Sequence, residues 1–231
     1  MGVINQLRCP KCGHVPGSKT VFQCPHCLGI LEVQVGIDHL TRADFERMRQ
    51  SRDPSIWRWF DFFPVADRSS IVSLGEGNTP LIHAARLGEK LGIANLYLKN
   101  DTVLPTGSLK DRSNSVGLSV ARELGFKTAA VMSTGNAAAS VAAYSAAAGM
   151  ESVVMVPKGT APSKIIQARA YGATVIVVDG DFDYQVAKLY KAAIQELAGT
   201  IACRPIPIAT KEKNPTPTRW PTSSTGECPI G

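Results

Sequence analysis

The sequence predicts an α/β protein: a three-layer sandwich around a parallel sheet, preceded by a small cysteine-built ribbon. Three observations carry that reading. Between Thr128 and Leu197, short continuous apolar runs alternate with helical stretches, as strands buried on both faces require. Gly125, Gly149 and Gly172 each stand where a helix must stop. Four of the six cysteines crowd between Cys9 and Cys27.

Composition bounds the function. The 231 residues are 44% hydrophobic and 19% charged, and 25 Lys+Arg against 19 Asp+Glu leave a net charge of +6. No run of five like charges occurs, so neither a nucleic-acid arm nor a polybasic membrane anchor is expected. No apolar stretch approaches the roughly 20 residues that span a bilayer, and the N-terminus lacks a signal-peptide pattern. The expectation is a soluble, cytoplasmic protein with no nucleic-acid or membrane partner.

Residues 1–37 form the ribbon. Cys9 and Cys12, then Cys24 and Cys27, are two CxxC pairs eleven residues apart. A two-residue gap lets two thiolates reach one metal from a tight turn, and two such turns close a tetrahedral site. Gly13 and Gly29 follow the knuckles where a positive φ is expected, and Lys19–Gln23 and Ile30–Val35 read as short strands. A structural zinc is the favoured reading; disulfides or unmetallated thiols are the alternatives. His26, inside the second knuckle, reads as a solvated spacer.

Residues 38–94 form an arm and the approach to the main domain. A polar helix is expected within Asp38–Arg52, with Leu40, Phe45 and Met48 inward. Trp57, Trp59, Phe60, Phe62 and Phe63 follow, closed by Pro64. Interleaved with Arg58 they could stack nucleic-acid bases, but an arm packed over a larger core fits better, because aromatics commonly serve burial. Leu74–Leu81, "LGEGNTPL", is rich in turn residues.

Residues 95–203 form the α/β domain. Strands are predicted at Asn95–Lys99, Thr128–Met132, Ser152–Val156 and Thr174–Val178. Helices are predicted at Asp111–Leu124, Asn136–Ala148, Pro162–Tyr171 and Phe182–Leu197. Ligands of such sheets sit beyond the strands' carboxyl ends, at helix N-termini. Two loops there stand out. Pro105–Arg112, "PTGSLKDR", places Lys110 at a helix start among hydroxyls, where the helix dipole favours the neutral amine that attacks a carbonyl. Ser133–Asn136, "STGN", offers small side chains and free backbone N–H groups to a carboxylate or phosphate. The sequence reading places both loops on one sheet edge, one strand apart.

Leu74–Leu81, Pro105–Arg112 and Ser133–Asn136 resemble the signature loops of fold-type II pyridoxal-phosphate enzymes, and among them those of the threonine synthases, which also carry an N-terminal cysteine ribbon. The resemblance runs from about Cys9 to Cys203. It implies that Lys110 holds pyridoxal 5′-phosphate and then shuttles protons, and that Asn136 bonds the cofactor's phenolic oxygen. It also implies that Ser133, Thr134 and Gly135 grip the substrate carboxylate, and that Lys164 anchors a substrate phosphate. The implied reaction converts O-phosphohomoserine and water to threonine and phosphate. Leu109 and Leu104 depart from the family's usual phenylalanine and asparagine. Alternatives are a threonine or serine dehydratase-like enzyme and a non-catalytic zinc-ribbon protein with a decayed domain.

Residues 204–231 read as an irregular tail, with six prolines between Pro205 and Gly231 and no apolar periodicity. Back-translated from Ile206 and read from the third base, the stretch gives PYRNEGKKPYAYEVADQLNWRVPDW, a turn, an amphipathic helix and a strand start. The expectation is a frameshift after about Cys203 in a chain truncated relative to its family, which sequencing the DNA would test.

Overall fold

The computed structural model describes residues 6–17, 23–34, 36, 39–181, 186–196, 200–202 and 208–209. The main sheet is formed by β5 (Thr128–Met132), β6 (Glu151–Pro157), β7 (Thr174–Val178) and β8 (Thr200–Ala202), all parallel, in the order β7-β6-β5-β8. Three of these match the strands predicted from their apolar runs, and for β5 and β6 the burial explains why. Along β5, Ala129 and Val131 face one cluster and Ala130 and Met132 the other; along β6, Val154 and Val156 divide from Val153 and Met155 in the same way. A strand buried on both faces cannot alternate polar with apolar, so its sequence becomes a continuous apolar run.

The helices that follow the strands make the outer layers. On one face lie α3 (Lys110–Glu123), α4 (Asn136–Ala148) and α5 (Pro162–Ala170); on the other lies α6 (Ala187–Glu196), where Tyr190 packs and donates its hydroxyl to Ala130 O at 2.9 Å. This is the three-layer sandwich expected. Residues 138–145 of α4 are buried without a break. A helix buried all round needs small side chains where it touches sheet and neighbour together, and alanine supplies them. Gly149, at φ +67°, ends α4 in the left-handed conformation that glycine adopts without steric cost.

The first predicted strand is corrected. Tyr97–Lys99 (β4) does not join the parallel sheet; it pairs antiparallel with Leu81–His83 (β3), a strand that begins on the last residue of the Leu74–Leu81 loop. All six residues of this pair are exposed, and α2 (Ala85–Leu91) connects the two strands. The lysine loop therefore follows a strand outside the main sheet, and sheet order does not bring it to the Ser133–Asn136 loop.

The arm packs as the burial reading requires. Trp57 and Phe60, on a 3₁₀ turn at Ile56–Phe62, are buried with Val65 against Val116 and Val120 of α3. The preceding helix α1 is shorter than predicted, Arg42–Arg49, and a capping box between Thr41 and Asp44 starts it. Met48 is buried as expected. Leu40 precedes the helix, and Phe45 is exposed with its ring against Phe62 at 5.3 Å. In the ribbon, β1 (Gln6–Arg8) pairs antiparallel with β2 (Glu32–Gln34), and Gln23 bridges Ile30. Of the expected strand Lys19–Gln23, only Gln23 is among the described residues. Ile208–Ala209 (β9), within the stretch expected to be irregular, pairs parallel with Val33 and Gln34. The rest of that stretch lies outside the described residues. Among the described residues no helix is long and apolar enough to cross a membrane.

Candidate functional site

Lys110 is the first residue of α3. Its backbone N–H donates to Ser108 Oγ at 3.1 Å, so a buried serine starts the helix just before the lysine. Lys110 Nζ has no hydrogen-bond or ion-pair partner among the described residues.

The next residue does the joining. Asp111 is fully buried and accepts from Thr106 N at 2.7 Å, Thr106 Oγ1 at 2.5 Å and Ser140 Oγ at 2.7 Å. Thr106 lies in the lysine loop. Ser140 lies one turn beyond Asn136, the residue that opens α4. One carboxylate thus folds the lysine loop on itself and ties it to the N-terminal end of α4. Gln167 of α5 adds a longer bond to Thr106 O at 3.4 Å. Helix packing, with Asp111 as its polar pin, ties the lysine loop to α4 one turn beyond the Ser133–Asn136 loop.

At the start of α4, Gly135 occupies the cap position and no side chain caps the helix. Gly135 N instead donates to Ser133 Oγ at 3.3 Å, and Ser133 N to Met155 O at 3.3 Å. The helix opens with backbone N–H groups unclaimed by side chains, and a Cβ added at Gly135 would meet nothing within 4 Å. An uncapped helix start with room at its glycine suits an anionic group, and a lysine amine without a partner suits a carbonyl carbon. Asn136 is exposed at this opening, and Ser133, Thr134 and Gly135 are half-buried. Lys164 falls in the first turn of α5, and its side chain lies outside the described residues.

The "GEGN" loop is held by a residue that sequence reasoning did not single out. Glu76 is fully buried. It accepts from Trp57 Nε1 at 3.1 Å, Ser115 Oγ at 2.5 Å, Tyr144 OH at 2.7 Å and Leu74 N at 2.9 Å. The arm, the loop, α3 and α4 meet on this one carboxylate. Burial, and then the adjacent Glu76 carboxylate, push the Tyr144 phenol well above its ordinary value. Serines recurring on the inner faces of α3 and α4 were the available signal, because hydroxyls in an apolar helix face need buried partners. Gly77, at φ +142°, passes so close to the arm that a Cβ would lie 2.7 Å from Ile56 N. Next to it, Thr79 Oγ1 donates to Asp101 at 2.7 Å, and Arg112 makes a two-pronged ion pair with the same carboxylate at 2.9 and 3.0 Å. The Arg112 guanidinium beside Asp101 holds that carboxyl below the usual range. Of the two departures, Leu104 is buried and Leu109 exposed.

In the ribbon, the four cysteine Sγ atoms lie within 4.8 Å of one another, with Cys9 and Cys27 at 3.4 Å and Cys12 and Cys24 at 3.5 Å. None of the four is in a disulfide. A tetrahedral Zn–S distance of about 2.3 Å sets sulfurs about 3.8 Å apart, so the cluster fits that metal. The knuckles repeat one design: Gly13 N donates to Cys9 O and Leu28 N to Cys24 O, at 2.8 and 2.9 Å. The positive φ of the second knuckle belongs to Leu28, at +57°, and not to Gly29. Gly29 is needed for space, since a Cβ there would stand 3.3 Å from the sulfurs of both Cys9 and Cys27. His26 is exposed, as a spacer would be, and its ring stacks on His14 with centroids 3.9 Å apart.

With the fold and site in place, comparison with known proteins defines the class. Residues 72–209 match the family model described as pyridoxal-phosphate dependent enzyme, and the chain belongs to that family. Within it, the chain is similar to proteins named threonine synthase. It is 40% identical to that of Methanocaldococcus jannaschii over 191 residues, 82% of this chain and 47% of the relative. It is 38% identical to that of Methanosarcina acetivorans over 192 residues, 82% of this chain and 46% of the relative. The chain thus spans about half the length of these curated relatives. Among solved structures, maize serine racemase superposes with a TM-score of 0.51 at 24% identity, covering 56% of this chain and 39% of that one. Escherichia coli diaminopropionate ammonia lyase in apo form superposes at 0.52 and 18% identity, covering 71% and 45%. Both show the fold.

Proposed function

We propose that this chain carries the cofactor-anchoring half of a threonine synthase-type lyase, acting on O-phosphohomoserine and water to give threonine and phosphate. The observation that supports it is the joining of the Lys110 loop to the open start of α4 through Asp111 and Ser140. Pyridoxal phosphate, when bound, supplies an electron sink for carbanions at the substrate's carbons. Lys110 is the residue that anchors it, and the amine is then placed to move protons at the substrate carbons. Asn136, exposed at the cradle, bonds the cofactor's phenolic oxygen. Ser133, Thr134 and Gly135 grip the substrate carboxylate, and Lys164 receives the substrate phosphate.

In the ribbon, Cys9, Cys12, Cys24 and Cys27 hold a structural zinc. All four positions are filled by protein ligands, which leaves no open coordination place for chemistry.

Incubating the purified chain with pyridoxal phosphate and O-phosphohomoserine tests the reaction. Threonine and inorganic phosphate in equal amounts are expected. Release of ammonia and a 2-oxo acid from threonine or serine, without phosphate from O-phosphohomoserine, would instead identify a dehydratase.

A further inference from the structure

Three buried side-chain polar atoms among the described residues lack a hydrogen-bond partner: Arg58 Nε, Ser145 Oγ and Asn114 Nδ2. Two of them have local explanations. The Arg58 guanidinium is held through its Nη2 atom by Arg49 O and Ser51 O. Ser145 sits in the last turn and a half of the alanine-rich α4, where a small hydroxyl fills alanine-sized space.

Asn114 has no such account. It lies four residues after Lys110 on α3, so the two side chains share one face of that helix, a turn apart. Asp111 and Ser115, by contrast, turn inward to Ser140 and to Glu76. One turn further along the Lys110–Asn114 face is Gly117, where an added Cβ would meet nothing within 4 Å. The face carrying the lysine thus has a primary amine without a partner, a carboxamide with an orphaned donor, and room for a side chain at Gly117. A buried amide N–H left unpaired is costly, and native structures retain one where something else completes it. A carboxamide offers two donors and an acceptor on a short stem, and a small rotation about its last torsion re-aims them.

We infer that Asn114 is a ligand-binding residue: its carboxamide N–H donates to an oxygen acceptor of the pyridoxal phosphate anchored on Lys110. This inference rests on the proposed role of Lys110. No covalent chemistry is asked of Asn114; it orients the ring against the helix.

The test uses the full chain and its variants Asn114→Ala and Asn114→Asp, with pyridoxal phosphate as probe. Two quantities are measured: the thermal midpoint without cofactor, and the cofactor affinity from absorbance titration, with borohydride trapping and peptide mapping to locate the attachment. A residue whose donor awaits a ligand gives opposite signs. Without cofactor, Asn114→Ala melts at or above the wild-type temperature, because an unsatisfied buried donor has been removed. With cofactor, both variants bind about tenfold more weakly, since Asp keeps the shape but loses the donor. Wild-type affinity in either variant, with Lys110 still trapped, overturns the inference and leaves the Lys110 reading standing. A lower melting point with unchanged affinity assigns Asn114 a structural role and also overturns it. If the wild type itself is not trapped at Lys110, the cofactor reading fails and the inference fails with it.

Discussion

Replacing Asp111 by alanine tests whether one buried carboxylate joins the two ligand loops. The side chain is fully buried and receives three bonds: from the Thr106 N–H, the Thr106 hydroxyl and the Ser140 hydroxyl. Hydrogen bonds to a charged group contribute roughly 1.5–3 kcal/mol each, and an orphaned buried donor costs about 1–3 kcal/mol. The two hydroxyls can rotate; Ser140, inside a helix, can turn to the carbonyl four residues back. The Thr106 N–H has a fixed direction and stays unpaired. The expected loss is therefore about 3–5 kcal/mol, a large part of a total stability of roughly 5–15 kcal/mol. Asp101→Ala is the control. That carboxylate also meets an arginine, but both side chains are about a quarter to a third exposed, so water screens the pair and its removal costs about 1 kcal/mol or less. Urea denaturation followed by far-UV circular dichroism gives both values from midpoints at equal slope. Asp111→Ala falling within 1 kcal/mol of wild type, or Asp101→Ala costing as much as it, would refute the reasoning.

Other consequences can be measured with similar means. Glu76→Ala strands the Tyr144 hydroxyl and the Leu74 N–H, while the Trp57 indole N–H keeps Ser115 Oγ at 2.9 Å, so it is expected to destabilise by about 2–5 kcal/mol and to shift Trp57 fluorescence. Unchanged stability would remove Glu76 from its joining role. The chain is expected to take up one zinc per molecule and to lose it in Cys24→Ser. Gly29→Ala, which crowds two sulfurs, is expected to weaken uptake, and metal analysis after dialysis reads both. The Asp44 carboxyl is held down at about 2, first by the Thr41 hydroxyl, then by the Thr41 N–H and Arg47. A depressed acid contributes stability above its unfolded value of about 3.9, and that contribution is lost as pH falls toward 2. The start of α1 is thus expected to fray in that window, and Asp44→Ala to show no such pH step in amide exchange at Phe45.

How much the sequence disclosed depended on how local the cause was. Thr128–Met132, Asn136–Ala148 and Thr174–Val178 were legible to the residue. Burial on both faces writes an apolar run directly into Thr128–Met132, and Gly149 marks the end of Asn136–Ala148. The edge strand Thr174–Val178 reads the same way from its β-branched residues, although Ile176 and Val177 are exposed. The places of Lys110 and the Ser133–Asn136 turn at helix starts were legible, because a lysine at a helix start and an uncapped glycine-bearing turn are local features. Their means of assembly was not. The β3–β4 pair has three residues per strand, all exposed, so no periodicity distinguishes it from a loop or from a strand of the main sheet. Glu76 sits 39 residues from Ser115 and 68 from Tyr144 in the chain, and such a partnership exists only after α3 and α4 have packed. Gly29 was flagged for the wrong cause: the strained φ moved to Leu28, while the approach of two sulfurs, visible only in three dimensions, fixes the glycine.

The central claim is that Lys110 carries the cofactor at a site built by Asp111 and the open start of α4. Its most direct measurement is borohydride reduction of the chain mixed with pyridoxal phosphate, followed by mass spectrometric peptide mapping of wild type and Asp111→Ala. A single pyridoxyl adduct on Lys110, strongly reduced in Asp111→Ala, is the result expected. Labelling spread over surface lysines, or equal at Lys110 in both proteins, would contradict the account.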